Sequence, residues 1–374
     1  MSGFATVEGD APIKVVLVGA GAMGRHWLQV ITETPQVQLV GLVDLDVELA
    51  RQALAARGVD AVATDSLSAV VKQTGAQAVI DVTVPPAHHA VNTEALFLGL
   101  PVLCEKPIAP TVAETLSLIA AEELSGQLLM TSQSRRYYPA LTELKALLPS
   151  LGEVGILTTE FFKAPHFGGF RDEMDHPLLV DMAIHSFDVA RYLLDADPVS
   201  VDCRTFNPSW SWYRGDAAAT ATFVFEGGTR FSYTGSWCSP GLETSWNGRW
   251  RVSGALGSAA WDGEGRPELE LADGATAERP AVEGGRSEIA GALDEFVHAL
   301  RTGTVPSGDV HSNVYSLAMV EAAVQSAAEE RAVQLADILD RAYADAVAKE
   351  RRDDVREALR AWRGAGALAP ARAR

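Results

Sequence analysis

Short apolar runs alternate with amphipathic stretches through the first third of the chain. Ile13–Val18, with the sequence IKVVLV, is β-branched enough for a strand buried on both faces. Val37–Val43 and Ala78–Val84 repeat that pattern, and residues 99–104 and 127–131 supply two more strands. Between them, Arg25–Glu33, Val47–Arg57, Asp65–Thr74, His89–Leu98 and Val112–Leu124 carry apolar positions at helical spacing. Gly58 stands just past the second of these helices, as a left-handed helix end favours. Strand and helix in regular succession predict a parallel, doubly wound sheet.

The pattern changes after about residue 134. Gly155–Phe162, Val199–Thr205, Ala217–Phe225, Thr229–Gly235, Trp250–Gly254 and Gly257–Trp261 read as strands separated by turns such as Glu226-Gly-Gly. Helical patterns cover Leu178–Leu194, Ser287–Arg301, Ser312–Glu330 and Lys349–Arg363. The expected organisation is therefore an N-terminal doubly wound α/β domain over residues 1–133. A mostly antiparallel α+β domain follows over 134–344, and a charged helical extension and frayed tail over 345–374. Removing residues 350–374 is expected to leave folding largely intact.

Composition narrows the functional classes. Among 374 residues, 47% are hydrophobic and 21% charged, which suits a globular protein. A formal net charge of -18 disfavours attraction to phosphate backbones, so nucleic acid is not an expected partner. Cys104, Cys203 and Cys238 are widely spaced, which argues for a reducing compartment and against a zinc knuckle or disulfide framework. No apolar run reaches membrane-span length, and the first residues lack a basic region followed by an apolar one. A cytoplasmic protein without a membrane partner is expected.

The chemistry starts at Gly19-Ala-Gly21-Ala22-Met23-Gly24, a G-x-G-x-x-G directly after the first strand and opening a helix. Its glycines permit a tight turn, a close backbone approach and close helix–strand packing. The helix N-terminus offers N–H groups to a pyrophosphate. Asp44 ends the second strand and is followed by Leu45 and Asp46. A carboxylate there accepts bonds from ribose hydroxyls and repels a 2′-phosphate, so NAD is expected rather than NADP. The competing role for Asp44 is a helix cap in a turn.

Lys106, in Glu105-Lys106-Pro107, follows a strand at the ligand edge of the parallel sheet. Asp181 and His185 stand four apart on a predicted, mostly apolar helix and so share a face. They either line a cleft or form a satisfied core pair, and His185 has Asp188 as a second candidate partner.

Several motifs occur in one order: the glycine loop, Val82-Thr-Val-Pro-Pro-Ala-His88, Glu105-Lys-Pro, Ser132-Gln-Ser-Arg-Arg-Tyr137, and Asp181-Met-Ala-Ile-His185-Ser-Phe-Asp188. In this the chain resembles the glucose–fructose oxidoreductase / inositol dehydrogenase (Gfo/Idh/MocA) family over about residues 12–340. The resemblance implies a Rossmann domain followed by an α/β domain whose open sheet builds homodimers or homotetramers. It implies Lys106, Asp181 and His185 as catalytic residues. Around the cofactor it implies Thr83, Pro85, His88, Glu105 and Lys106 beside Gly19, Gly21, Ala22, Met23, Gly24 and Asp44. Ser134 stands where the family usually has Asn, so no role passes to it.

Oxidising a secondary alcohol needs a hydride acceptor, which NAD supplies, and a base for the hydroxyl proton. His185 titrates near neutrality, Asp181 orients it, and Lys106 stabilises developing alkoxide charge; the roles of Lys106 and His185 are interchangeable at this level. Arg135, Tyr137, Lys163, His166, Arg171 and Trp250 are candidates for holding a sugar or polyol, although tryptophans in a strand region also pack sheets. No metal is expected. The leading expectation is an NAD-dependent sugar or polyol oxidoreductase. The alternatives are a glycosidase working through transient oxidation and an NAD-bound sensor.

Overall fold

The computed structural model describes residues 3–276, 279, 285–362 and 364, and its contacts divide the chain into two compact units. The first comprises residues up to Ser134 together with Ile289–Val314 and the chain from Leu339 onward; the second comprises Arg135–Glu288 and Tyr315–Ile338.

In the first unit the chain runs β1 (Ile13–Val18), α1 (Ala22–Thr32), β2 (Val37–Val43), α2 (Val47–Arg57), β3 (Val62–Thr64), α3 (Leu67–Thr74), β4 (Ala78–Asp81), α4 (Pro85–Phe97), β5 (Val102–Glu105), α5 (Val112–Ser125) and β6 (Leu129–Ser132). The strands form one parallel sheet in the order β3-β2-β1-β4-β5-β6. This is the expected doubly wound sheet, and its strand order reverses between β1 and β4. Every residue of β4, β5 and β6 is buried, which explains their unbroken apolar character. The short β3 was not expected, because Val62-Ala-Thr is too brief to stand out from a loop. The predicted strand at residues 78–84 stops at Asp81, since Pro85 and Pro86 start α4 instead.

The second unit contains α6 (Pro139–Leu147), β7 (Val154–Phe162), α7 (Ile184–Leu194), β8 (Pro198–Phe206), β9 (Ala218–Phe225), β10 (Arg230–Ser236), β11 (Arg249–Gly254), β12 (Gly257–Trp261) and β13 (Glu268–Leu271). The remaining elements are α8 (Glu288–Thr302), α9 (Val310–Glu329), β14 (Val333–Gln334), α10 (Leu335–Lys349) and α11 (Asp353–Ala361). An eight-stranded sheet runs β13-β12-β11-β7-β10-β9-β8-β14, antiparallel except where β10 meets β7. Its inner face buries Leu157, Phe161, Phe223, Phe231, Tyr233, Trp250 and Val252. Phe187 of α7 packs edge-on against Phe223, Phe231 and Tyr233 at 4.8, 6.3 and 5.4 Å. The outer face presents Glu160, Thr220, Thr222, Arg230, Thr234, Arg249 and Arg251, with Ile156, Val199 and Phe206 as its exposed apolar members.

The C-terminal segment also departs from expectation. Residues 345–361 do not form a free extension: α11 packs on α5 with Val355 and Leu359 buried. The Tyr343 hydroxyl donates to the Leu359 carbonyl at 3.0 Å, and the Trp362 indole donates to Glu123 at 3.2 Å. The charged repeat of α11 signalled a solvated face; its two buried positions, Val355 and Leu359, stand four apart and form the inner stripe. The tail expected to fray lies almost wholly outside the described residues.

Candidate active site

The glycine loop is cut to fit backbone rather than side chains. Gly19 has φ +104°, and a Cβ there would lie 2.8 Å from the Val82 carbonyl oxygen. A Cβ on Gly24 would lie 2.0 Å from the Gly19 carbonyl, so the turn and the close packing of α1 both require glycine. A Cβ on Gly21 would meet nothing within 4 Å, which leaves that position open to a ligand's close approach. Ala22 and Met23 are exposed in the first turn of α1, whose N-cap is Gly21 and which no side chain caps. Donors at a helix N-terminus beside open space fit a dinucleotide pyrophosphate.

Asp44 is half-buried next to this loop. Its Oδ2 accepts the Ala20 N–H at 2.7 Å and its Oδ1 accepts the Asp46 N–H at 2.9 Å. The capping role belongs to Asp46, whose Oδ1 accepts the N–H groups of Glu48 and Leu49 at the start of α2. Asp44 is thus anchored at the rim of the loop with lone pairs remaining on both oxygens, as ribose recognition requires.

The end of β4 is arranged differently from expectation. Thr83 donates from both its hydroxyl and its N–H to Asp81, at 2.7 and 3.0 Å, and Pro85 opens α4. His88, expected beside the cofactor, is buried. Its Nδ1 faces the Pro107 carbonyl at 2.7 Å and its Nε2 faces the Thr83 carbonyl at 3.0 Å, so both ring nitrogens are committed to backbone. Glu105 is also turned inward. Its Oε1 accepts the Trp27 indole N–H at 2.8 Å, its Oε2 accepts the Lys106 N–H at 3.2 Å, and burial pushes its pKa up. Strand-end position marked both residues, but sequence gave no direction for their side chains. Lys106 is half-buried and precedes a cis peptide bond to Pro107.

Spacing gave no metal cluster, yet Asp81, His88 and Cys104 come within 4.8 Å of one another. Burial holds the Cys104 thiol well above its usual pKa and raises that of Asp81. Thr83 donates to Asp81 and both His88 nitrogens face backbone carbonyls, so this cluster is tied into the hydrogen bonding of the core.

In the second unit, Leu178–Ala183 is a π-helical segment that continues into α7, not the plain α-helix expected. Such wide turns recur at functional sites. Asp181 lies on the π segment and His185 near the start of α7; both are half-buried. Asp181 Oδ2 accepts a bond from Arg171 Nε at 2.6 Å. Asp188 is fully buried, receives Nε and Nη2 of Arg136 at 2.7 Å each, and accepts the Ser316 hydroxyl at 2.8 Å. Arg136 and Ser316 are therefore partners of Asp188.

The substrate candidates divide. Arg171 carries its guanidinium 5.3 Å from the Phe167 ring and 4.7 Å from the Phe170 ring, both exposed. Lys163 pairs with Glu243 at 2.9 Å and lies 5.0 Å from the Trp246 ring; that pairing holds the Glu243 carboxyl below its usual range. His166 stacks on Trp212 at 3.6 Å. Arg135 donates to Asn247 at 3.0 Å and to the Tyr138 hydroxyl at 3.2 Å, while Tyr137 is half-buried. Trp250 is not a candidate: it is buried against Phe231 and donates to the Asn247 carbonyl at 2.7 Å. Sequence reading missed Phe167 and Phe170 as exposed aromatic faces, since only their setting separates them from core residues.

A strand–glycine loop–helix with an acidic second-strand end defines a dinucleotide-binding fold. The comparisons agree. Residues 13–133 match the oxidoreductase family with an NAD-binding Rossmann fold, and residues 150–260 match the GFO/IDH/MocA C-terminal domain. The chain belongs to the Gfo/Idh/MocA family of NAD-binding oxidoreductases. It is 27% identical over 342 residues to a D-apiose dehydrogenase of Paraburkholderia graminis, covering 86% of this chain and 89% of that one. It is 32% identical over 196 residues to inositol 2-dehydrogenase 4 of Saccharopolyspora erythraea, covering 51% and 57% respectively. A solved oxidoreductase from Agrobacterium radiobacter, in complex with NAD+, L-tartaric acid and magnesium, superposes with a TM-score of 0.79 at 21% identity. That match covers 87% of this chain and 99% of that one.

Proposed function

We propose that the protein oxidises a secondary alcohol of a sugar, sugar derivative or cyclic polyol, with NAD in place of NADP. Bound NAD accepts the hydride. His185 takes the hydroxyl proton, Asp181 orients His185 and the neighbouring hydroxyl, and Lys106 donates to the reacting oxygen. Arg171 fixes Asp181 and, with Lys163, Arg135 and the exposed aromatic faces, holds the substrate. The observation that carries this reading is the arrangement on one helical segment. Asp188 is closed off by Arg136 and Ser316, whereas Asp181 is half-buried and held by Arg171.

The test incubates the protein and NAD with myo-inositol, D-apiose, D-glucose and D-glucuronate. NADH should accumulate with at least one of them. Release of an aglycone from a glycoside without NADH would instead identify the oxidation-assisted glycosidase, and binding without turnover a sensor.

The assembly is proposed to be a homodimer or homotetramer built on the outer face of the eight-stranded sheet, for which a monomer by light scattering is the refuting result. A cytoplasmic setting is supported by three buried thiols, none in a disulfide. No helix among the described residues is long and apolar enough to cross a membrane.

A further inference from the structure

We infer that Glu105 and His88 are positioning residues that clasp the backbone around Lys106, and that Trp27 ties this clasp to the nucleotide-binding helix. The inference rests on the catalytic role proposed for Lys106.

The geometry is a continuous chain of contacts within the first unit. Trp27 is fully buried on α1, the helix that the glycine loop opens. Its indole N–H donates to Glu105 Oε1 at 2.8 Å. The other oxygen, Glu105 Oε2, accepts the Lys106 N–H at 3.2 Å. One residue further on, the Pro107 carbonyl meets His88 Nδ1 at 2.7 Å, and the opposite ring nitrogen faces the Thr83 carbonyl at 3.0 Å. Lys106 is therefore held on both sides, by a carboxylate ahead of it and an imidazole behind it.

A buried carboxylate and a buried imidazole are costly to retain for packing alone. An apolar pair of the same size would fill the space without that penalty. What the polar pair adds is direction, because the two hydrogen bonds of Glu105 and the seating of the His88 ring against the Pro107 carbonyl fix where the loop can lie. Trp27 extends this to α1, whose N-terminus takes the pyrophosphate. The clasp thus sets the Lys106 backbone relative to the element that holds the cofactor.

Glu105→Gln is the discriminating variant. The amide has nearly the same shape but only one acceptor oxygen. Its NH2 group must then face either the Trp27 indole N–H or the Lys106 N–H, so one side of the clasp opens. Amide hydrogen exchange by mass spectrometry, read on the peptide spanning residues 103–109, reports the opening without any substrate. Exchange there should rise about tenfold while the rest of the first unit is unchanged. With the best substrate of the four-compound panel, kcat should fall about tenfold or more, because small displacements of a catalytic group cost that much. KM and the Kd for NAD should stay within about threefold. Trp27→Phe should show the same pattern, and the double variant should be no worse than Glu105→Gln, as residues acting through one contact require.

An unchanged exchange rate and kcat in Glu105→Gln would overturn the inference. So would a Kd for NAD weakened as much as kcat, which would make Glu105 a cofactor contact, or additive losses in the double variant. If Glu105→Gln fails to fold, Trp27→Phe carries the same readouts. The proposed role of Lys106 fails separately, through Lys106→Ala retaining full kcat, and the exchange result stands apart from it.

Discussion

Leu359→Ala should destabilise the nucleotide-binding unit by about 3 kcal/mol, because α11 is an integral layer of that unit. Leu359 is 0% exposed, on the face of α11 that meets α5. Truncating a buried leucine to alanine costs about 2–5 kcal/mol, according to how far the cavity collapses. A helix near the end of the chain relaxes more easily than a central strand, which puts the value in the lower half of that range. For a unit of this size each kcal/mol lowers Tm by about 2–4 °C, so a drop of about 6–12 °C is expected in a calorimetric scan. Glu357→Ala, exposed on the same helix, serves as the control and should stay within about 0.5 kcal/mol of the parent. A Tm for Leu359→Ala equal to that of Glu357→Ala would show that α11 does not dock on α5 in solution.

Three further outcomes follow from the site and its surroundings. Asp44→Ser should narrow the preference for NAD over NADP, measured by titrating both cofactors; tighter NADP binding by the parent would show that Asp44 does not face the ribose. Arg171→Ala should lower kcat about tenfold and leave the Kd for NAD unchanged, since it releases the Asp181 carboxylate without touching the glycine loop; equal kcat would remove Arg171 from the site. Glu143 is held below the usual carboxylate range chiefly by its bond from Arg266, with Arg279 adding a second. Its contribution to stability is therefore present above the ordinary glutamate pKa and is lost as pH falls through the lowered folded value. Glu143→Gln should cost stability in neutral denaturant titrations and cost progressively less in strongly acidic ones; a penalty independent of pH would refute the linkage.

The Rossmann sheet was legible because its signals are local: β-branched runs, an ordered glycine loop, and a strand-ending aspartate with no basic neighbour. The strand pattern of the second sheet was legible for the same reason. What escaped were features decided by tertiary contact. His88 and Glu105 were recognised as significant, but whether a strand-end side chain turns outward to a ligand or inward to Trp27 and the Pro107 carbonyl depends on distant residues. The π-helical turn at Asp181 leaves no mark in a four-residue spacing. The docking of α11 was hidden by its charge, because two buried positions in nine residues barely disturb a solvated pattern. Trp250 and Trp246, four residues apart in sequence, differ in setting: Trp250 lies on β11 and is buried, whereas Trp246 lies in the turn before it and is exposed.

The proposed chemistry rests most directly on His185 as the proton acceptor. The decisive measurement is the kcat of His185→Ala for NADH formation, taken beside its Kd for NAD. A fall of about a hundredfold or more in kcat with the Kd within about threefold is expected for loss of a general base. An unchanged kcat would contradict the assignment and remove the Asp181–His185 segment from the reaction.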